Sequence, residues 1–258
     1  MDVDRGGLVY AGCKWLTWHA GAPAGRGWRH AGYLLAWPGL DAPGFFAAGA
    51  RAERVRRAEW LAASASLAAG ALLFFAVART LAADLYATGW LGMVGIVLML
   101  HFGTFQLMSC AWRAAGVRAR PLMNQPLAAT SLADFWGRRW NTAFRDLTHR
   151  FLFQPLAARL GSRWGVAIGF LFSGAVHDLV ISVPAGGGYG GPTTYFAAQG
   201  AAMLFERSVA GRRLGLGHGW RGRLFAMTVL VAPVQLLFHR PFVVGVVVPF
   251  MRALGAIS

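Results

Sequence analysis

A histidine within an apolar stretch is the residue of this chain best suited to do chemistry. His177 lies in the apolar run 164–183, and Ser173 and Gly174 precede it by one helical turn. An ionisable side chain inside a membrane-length helix is costly unless it is used or paired, so His177 is a candidate functional group. A neutral imidazole can take a proton from a hydroxyl, which is general-base chemistry. The alternative is a hydrogen bond to a neighbouring helix that fixes packing.

A second polar segment, residues 131–141, lies upstream of this histidine. It mixes three aromatic rings with two arginines, one aspartate and a terminal asparagine, Asn141. The asparagine amide can donate a hydrogen bond to a carbonyl oxygen and accept one from a hydroxyl. The same segment also fits a plain interfacial helix, with tryptophan anchors and arginines on lipid phosphate.

Three further ionisable side chains are weaker candidates. Asp178 follows His177 and would point about 100° away from it on a helix, so we expect it to pair with an arginine instead. His101 lies in another apolar run and could line the same cavity, although packing is the stronger interpretation. His239 precedes Pro241 at an expected helix break, where it would be a partner for unpaired backbone groups.

The composition indicates that a membrane-embedded helical framework positions these residues. Of the 258 residues, 56% are hydrophobic and 14% are charged, whereas ordinary soluble domains contain about 25% charged residues. The net charge of +15 comes from arginines that lie between apolar runs, together with the single lysine, Lys14. That is the positive-inside pattern of membrane proteins, and it argues against a nucleic-acid partner. The two cysteines are too far apart in sequence to indicate a disulfide framework or a zinc site.

We predict an all-α, polytopic membrane protein with about six to eight transmembrane or re-entrant helices that enclose a central tunnel. The clearest spans are residues 60–85, 90–112 and 164–183, and a short turn at 88–89 would join the first two. Shorter apolar helices are expected at residues 193–205, 224–238 and 242–254. We expect one membrane-embedded domain over residues 1–258, with an irregular N-terminal part at 1–59.

Arginine-rich stretches alternate with stretches that carry no arginine, and this predicts the orientation. The basic stretches, 51–57, 113–163 and 207–223, would be cytoplasmic, and the turns at 86–89 and 185–191 would lie outside. Within the basic region 113–163, helix-like spacing of apolar residues predicts amphipathic helices at 131–141 and 143–160. We expect a multi-pass integral membrane protein of a bacterial inner membrane.

The two polar segments together resemble the membrane-bound O-acyltransferase family, and most closely its wax-synthase-like branch. The family pattern is a Phe-Trp-x-x-x-Trp-Asn block at the cytosolic face, followed a few dozen residues later by a membrane-embedded histidine. Phe135, Trp136, Trp140 and Asn141 match the block, and His177, in Ser-Gly-x-x-His, matches the histidine. Further similarity to this branch lies at residues 33–43, 120–122, 129–132 and 151–155.

This resemblance implies transfer of a fatty acyl group from acyl-CoA to a hydroxyl acceptor, with a fatty alcohol favoured and a wax ester as product. His177 would be the general base, and Asn141 would position the acyl donor or stabilise the oxyanion. Arg138 and Arg139 would meet the phosphates of CoA. The remaining substrate contacts would come from Trp136, Trp140, Ser173 and His101. No metal and no resident cofactor is implied, because acyl-CoA is a co-substrate, and the partners are acyl-CoA, a lipophilic alcohol and membrane lipids.

The sequence departs from the family pattern in two respects, and two other functions stay open. Asp178 stands where many members have glutamate after the histidine, and the chain is shorter than most members. A proton-coupled transporter could use His177 and Asp178 as a relay. A non-catalytic relative could bind lipid or a partner, and this reading gains if His177 and Asn141 do not face a common cavity.

Overall fold

The computed structural model describes residues 4–21, 27–47, 53–81 and 83–257, and every regular element within these ranges is a helix. The predicted all-α class is therefore confirmed. The chain separates into two compact units. Unit 1 is made of Val3–Met123 and Val247–Ser258, and unit 2 contains Asn124–Val246. The single domain expected from the sequence stays a prediction.

The N-terminal part of unit 1 is more regular than expected. It contains helices α1 (Asp4–Gly21), α2 (Gly27–Ala36) and α3 (Ala42–Phe46). They pack around Lys14 of α1, whose Nζ donates to the carbonyl oxygens of Trp37, at 2.7 Å, and Gly39. The same ammonium lies 3.4 Å from the ring centroid of Tyr33, and burial lowers the pKa of Lys14 to about 7. The buried Lys14 side chain thus ties these short helices together through its hydrogen bonds, which the apolar pattern alone did not reveal.

Two long helices of unit 1 form the predicted hairpin. They are α4 (Arg57–Thr80) and α5 (Leu85–Ala114), and both are long and apolar enough to cross a membrane. The turn between them ends at Asp84 instead of lying at 88–89, because the Asp84 carboxylate accepts the backbone N–H groups of Tyr86 and Ala87 and so begins α5. A side chain at Gly70 would lie 2.6 Å from the carbonyl oxygen of Gly95, so the helices touch backbone to backbone.

After a 3₁₀ turn at Pro126–Ala128, unit 2 contains the two helices predicted for the basic region. Helix α6 (Leu132–Asp134) continues as a π-helix over Phe135–Arg139. Helix α7 (Thr142–Thr148) continues through a π-helical stretch, His149–Phe153, into Gln154–Leu160. The expected helices at 131–141 and 143–160 are therefore present, separated by Trp140 and Asn141.

The remaining helices follow the first two along the chain. They are α8 (Ser162–Ala185), α9 (Gly191–Glu206), α10 (Val209–Arg213), α11 (Gly219–Leu237) and α12 (Arg240–Ala253), the last of which begins in unit 2. Helix α8 is the third candidate span, and α11 with α12 forms a bent pair that could be a fourth. Six to eight segments were expected because shorter apolar helices were included, and the central tunnel stays a prediction.

The packing of α8 against α9 organises the core of unit 2. A side chain at Gly174 would lie 2.6 Å from the Cα of Thr193, and one at Gly200 would lie 3.1 Å from the Cβ of Phe170. Glycine at these positions lets the two helices approach closely, as small residues do in membrane bundles. Gly174 therefore admits a helix next to the turn that carries His177.

Candidate functional site

His177 lies at a change of helical geometry within α8. It ends the α-helical part, and residues Asp178–Ser182 continue as a π-helix. Its Nδ1 is 2.6 Å from the carbonyl oxygen of Ser173. A carbonyl oxygen only accepts, so this contact assigns the proton of the neutral imidazole to Nδ1 and the lone pair to Nε2. Within the described ranges Nε2 has no hydrogen-bond partner, so its lone pair is available to accept a proton.

Among the described residues no arginine pairs with Asp178, contrary to the expectation from sequence. Its carboxylate accepts the backbone N–H groups of Gly190, at 2.9 Å, and Thr193, at 3.0 Å. It also accepts the hydroxyls of Ser182, at 2.8 Å, and Thr193. Apart from Ser182, which lies in α8 itself, these donors come from the N-terminal turn of α9, where unpaired N–H groups stabilise an anion. They take the place of the expected arginine.

His239 partners the backbone, as predicted. Its side chain is buried, with 8% exposed, and Nδ1 accepts the N–H of Phe242 at 3.3 Å, which caps the start of α12. Its Nε2 lies 3.1 Å from the hydroxyl oxygen of Ser182. His239 therefore belongs to the same polar group as Asp178, a connection that its sequence position did not indicate.

The aromatic residues of the Phe135–Asn141 block face the interior of unit 2. Trp140 stacks on Phe135 with 5.5 Å between ring centroids. Trp136 donates its Nε1–H to the side-chain oxygen of Gln199 at 3.4 Å. Its ring packs edge-on against Phe170 at 5.8 Å. The tryptophans of this block are thus packed core residues as well as candidate substrate contacts.

One aromatic side chain of α9 connects this block to His177. The ring centroid of Phe196 lies 4.4 Å from that of His177 and 5.6 Å from that of Trp136. Phe196 is 4% exposed. The structure therefore brings the histidine and the Trp136 end of the block into one aromatic cluster, defined here as Trp136, Phe170, His177 and Phe196.

Asn141 has a local structural role that was not predicted. Its backbone is left-handed, with φ of 40°, a conformation that asparagine tolerates better than most residues. Its Oδ1 accepts the N–H of Phe144 at 3.2 Å and so caps α7. The asparagine thereby separates the π-helical Phe135–Arg139 from α7.

The two arginines predicted to contact phosphates both pair with Asp134. Arg138 and Arg139 donate to its carboxylate through Nε at 2.9 and 2.6 Å. The Arg139 side chain is only 23% exposed, whereas that of Arg138 is 76% exposed. Arg139 also donates to the carbonyl oxygens of Asn124 and Gln125. Burial opposes ionisation of Asp134, but the hydrogen bonds from Arg139 and the Thr130 N–H and the two arginine charges together outweigh it, so the pKa of this carboxyl is lowered. The pair is therefore unequal: Arg139 holds the local fold, and Arg138 is accessible.

Glu206 is a functional candidate that the sequence analysis missed. It is 3% exposed and accepts the backbone N–H groups of Leu132, at 2.6 Å, and Ala133, at 3.3 Å. These are unpaired donors at the start of α6, which the hydroxyl of Ser131 also caps. Burial raises the pKa of Glu206. The available signal was the occurrence of isolated polar residues, Gln199 and Glu206, in an otherwise apolar helix.

The other predicted site residues are placed as follows. Ser173 contributes its carbonyl oxygen to His177. His101 lies in unit 1, in the π-helical Leu98–Thr104 within α5, where its ring meets that of Phe105 edge-on. Among the described residues no group of three or more histidine, cysteine, aspartate or glutamate side chains is arranged to hold a metal ion.

Comparison with known proteins finds a family model that matches the central segment of the chain. Residues 119–198 match the model of the membrane bound O-acyl transferase family. This range contains the aromatic block, His177 and Phe196, so the resemblance inferred from the sequence is confirmed.

Two plant acyltransferases illustrate the branch. The chain is 39% identical over 101 residues to a long-chain-alcohol O-fatty-acyltransferase of Simmondsia chinensis. The matched region covers 34% of this chain and 29% of the relative. The chain is 29% identical over 138 residues to a probable long-chain-alcohol O-fatty-acyltransferase 8 of Arabidopsis thaliana, covering 48% and 40%.

A sterol-directed relative is also similar. The chain is 39% identical over 80 residues to acyl-CoA--sterol O-acyltransferase 1 of Arabidopsis thaliana, covering 26% of this chain and 23% of that protein. The chain thus spans 40% or less of the length of these three relatives. No solved structure matches the chain.

Proposed function

We propose that this chain transfers a fatty acyl group from acyl-CoA to the hydroxyl of a lipophilic acceptor, with a fatty alcohol favoured and a wax ester as product. The observation that carries the proposal is the orientation of His177, whose Nδ1–H is given to Ser173 so that Nε2 keeps its lone pair. Two further facts support it: the family match spans both motifs, and relatives are named for long-chain alcohols and a sterol.

The proposed reaction needs only a proton carrier and no covalent enzyme intermediate. Nε2 of His177 takes the proton of the acceptor hydroxyl as its oxygen attacks the thioester carbonyl carbon. The carbon–sulfur bond then breaks, and the CoA thiolate takes the proton from the imidazolium, which regenerates the neutral histidine. The carbonyl oxygen of Ser173, 2.6 Å from Nδ1, stabilises the imidazolium and holds the ring in one orientation. No metal and no resident cofactor enters this scheme.

Other residues of unit 2 supply the remaining proposed contacts. Asn141, whose Oδ1 caps α7, is proposed to position the acyl donor or to stabilise the developing oxyanion. Arg138, with its 76% exposed side chain, would contact a CoA phosphate. Trp136 and Trp140 would border the acyl chain. His101, which lies in unit 1, stays a proposed substrate contact.

The reaction is proposed to take place in a membrane. The long apolar helices α4, α5 and α8 support a multi-pass integral membrane protein. A bacterial inner membrane is proposed from the sequence alone, and the plant origin of the relatives described above does not support it.

A membrane assay tests the proposed function. Membranes containing the full chain would be given labelled long-chain acyl-CoA with a fatty alcohol, a sterol or no acceptor, and the lipids would be separated. We expect label in a wax ester with wild type and almost none with His177→Gln. A dominant sterol ester would overturn the acceptor preference. No acceptor-dependent product, with labelled acyl-CoA bound, would overturn acyl transfer and leave a lipid-binding relative.

A further inference from the structure

A buried polar network lies directly next to His177 and joins three helices. Asp178 and Ser182 belong to α8, Thr193 to the start of α9, and His239 precedes α12. Ser182 is fully buried and His239 is 8% exposed. The loop between α8 and α9 approaches the His239 ring so closely at Gly188 that a Cβ atom there would lie 2.3 Å from the ring. The loop therefore closes over the network.

The hydrogen bonds of this network run in one direction. The N–H of Phe242 donates to Nδ1 of His239, so the neutral imidazole carries its proton on Nε2 and donates it to the hydroxyl oxygen of Ser182. Ser182 in turn donates to Asp178 at 2.8 Å, a shorter contact than its 3.3 Å approach to the carbonyl oxygen of Gly188.

This direction excludes a hydrolytic role for the group. Its members have the residue types of a serine, histidine and aspartate triad. In a triad the histidine accepts the serine proton, whereas here the accepting nitrogen of His239 is occupied by Phe242 and the proton of Ser182 goes to Asp178. The group is therefore a structural support whose end point is the Asp178 carboxylate.

We propose that Asp178, held in place by Ser182 and His239, is a positioning residue for His177; this inference rests on the proposed function. Asp178 is the next residue in the chain, and its bonds to the backbone and hydroxyl of Thr193 fix α9 against α8. Phe196 lies three residues further on the same face of α9 and packs on the His177 ring. Asp178 thus controls both the backbone that carries the imidazole and the ring that confines it.

The first test changes the acceptor capacity of Asp178 at constant size. In Asp178→Asn, one oxygen becomes an NH₂ group that faces donors, either Ser182 and Gly190 or the two groups of Thr193. We expect kcat to fall about 10- to 100-fold, as for a misplaced catalytic group, with the KM for acyl-CoA changed less than about twofold. An unchanged kcat would overturn the proposal.

A matched pair of threonines separates this effect from general disturbance. Thr193→Val removes a hydroxyl that binds Asp178, and Thr194→Val removes an exposed hydroxyl that binds only the carbonyl of Gly190. We expect the first to lower kcat and the second to leave it unchanged, and Thr193→Ser should restore the rate. Equal losses at both positions would contradict the proposal.

A measurement independent of turnover distinguishes failure of the inference from failure of the proposed function. Nitrogen NMR of ¹⁵N-histidine protein in detergent, assigned with His177→Gln, reports which nitrogen of His177 carries the proton. We expect the Nδ1–H form in wild type and a mixture in Asp178→Asn, with Ser182→Ala as a milder variant if that protein does not fold. If wild type lacks acyl transfer, the proposed function fails, and the NMR comparison alone decides the positioning. An unchanged His177 signal would overturn it.

Discussion

The phenyl ring of Phe196 lies 4.4 Å from the imidazole of His177, tilted by 41°. The same ring meets Trp136 at 5.6 Å, so a single side chain of α9 contacts both motifs of the family segment. Such a contact confines the imidazole from one side while the Ser173 carbonyl fixes its Nδ1. A general base held in this way keeps one orientation before substrate arrives, which is what proximity effects require.

We expect His177→Ala and His177→Gln to lower the rate of acyl transfer about 10²- to 10⁴-fold, because general-base catalysis is lost. Acyl-CoA should still bind, since the histidine acts on the acceptor. Turnover of labelled acyl-CoA and a separate binding measurement check this. His218→Gln, an exposed histidine before α11, is the control.

Glutamine is the decisive substitution at this position, because it keeps polarity and approximate size. Near-normal turnover in His177→Gln would make His177 a structural hydrogen-bonding residue and the proposed mechanism wrong. His101→Ala should cost less than His177→Ala in the same assay. The reverse order would show that His101 is the functional membrane histidine.

Substitutions of the two arginines that bind Asp134 should have different effects, one on acyl-CoA binding and the other on stability. Arg138→Gln should weaken acyl-CoA binding, most strongly at low salt, and leave the thermal unfolding temperature nearly unchanged, because the Arg138 side chain is 76% exposed. Arg139→Gln should destabilise unit 2 by about 1–3 kcal/mol, since its charged hydrogen bonds to Asp134 and to the Gln125 carbonyl are lost. Binding titrations and thermal unfolding in detergent measure the two effects.

Arg159→Gln, at an exposed position of α7, controls for the loss of one positive charge. If Arg138→Gln and Arg159→Gln change the acyl-CoA KM equally, the effect is one of overall charge and not of a phosphate contact.

Glu206→Gln should alter the pH dependence of stability in a defined direction. The folded-state pKa of Glu206 is raised above its ordinary value of 4.5, so the unfolded state ionises first. Its contribution to stability is fully present below the unfolded pKa and declines as pH rises through the folded pKa. Relative to wild type, Glu206→Gln should therefore gain stability between weakly acidic and neutral pH. Thermal unfolding of both proteins across that range is the measurement.

Glu206→Ala supplies the contrast. It leaves the N–H groups of Leu132 and Ala133 without their carboxylate partner, and we expect a loss of about 1–3 kcal/mol. If alanine and glutamine behave alike at every pH, Glu206 does not act as an acceptor for α6.

Cysteine labelling across α8 tests the orientation. Tyr189 is 66% exposed after α8, and Arg159 lies before it. In a cysteine-free background, Tyr189→Cys should react with an impermeant reagent in intact cells, and Arg159→Cys only after permeabilisation. Gly188 is unsuitable for this purpose, because its φ is +73° and a side chain there would strike His239. Labelling in the opposite order would reverse the predicted topology.

The elements of this fold were more predictable than the contacts between their side chains. The spans over α4, α5 and α8 follow from apolar length, and α9 from its apolar composition, because both signals are local. The N-terminal helices were not foreseen, since Lys14 is buried by carbonyl groups far away in the sequence. The partners of Asp178 were missed for the same reason: the start of α9 provides its donors, and a sequence does not show which helix begins beside a given side chain.

For the candidate site, too, the sequence identified residues but not the contacts between them. Residue types identified His177, Asn141 and Arg138 as candidates, but the unequal roles of Arg138 and Arg139 depend on which one reaches the carbonyls of residues 124 and 125. Phe196 gave no chemical signal of its own, and the only signal of Glu206 was that it is an isolated polar residue in an apolar helix. Their importance lies in what they touch, and only the packing of α9 reveals it.

Helix α9 is held by hydrogen bonds near both of its ends, so the number of residues between these ends is constrained independently of their types. Thr193 meets Asp178 at one end, and Glu206 meets Leu132 at the other. One inserted residue between these two points would rotate the far anchor by about 100° and shift it by about 1.5 Å, which would break one of the two attachments. Insertions and deletions in the evolution of this chain should therefore accumulate in loops and terminal helices. The number of residues between positions 193 and 206 should stay constant.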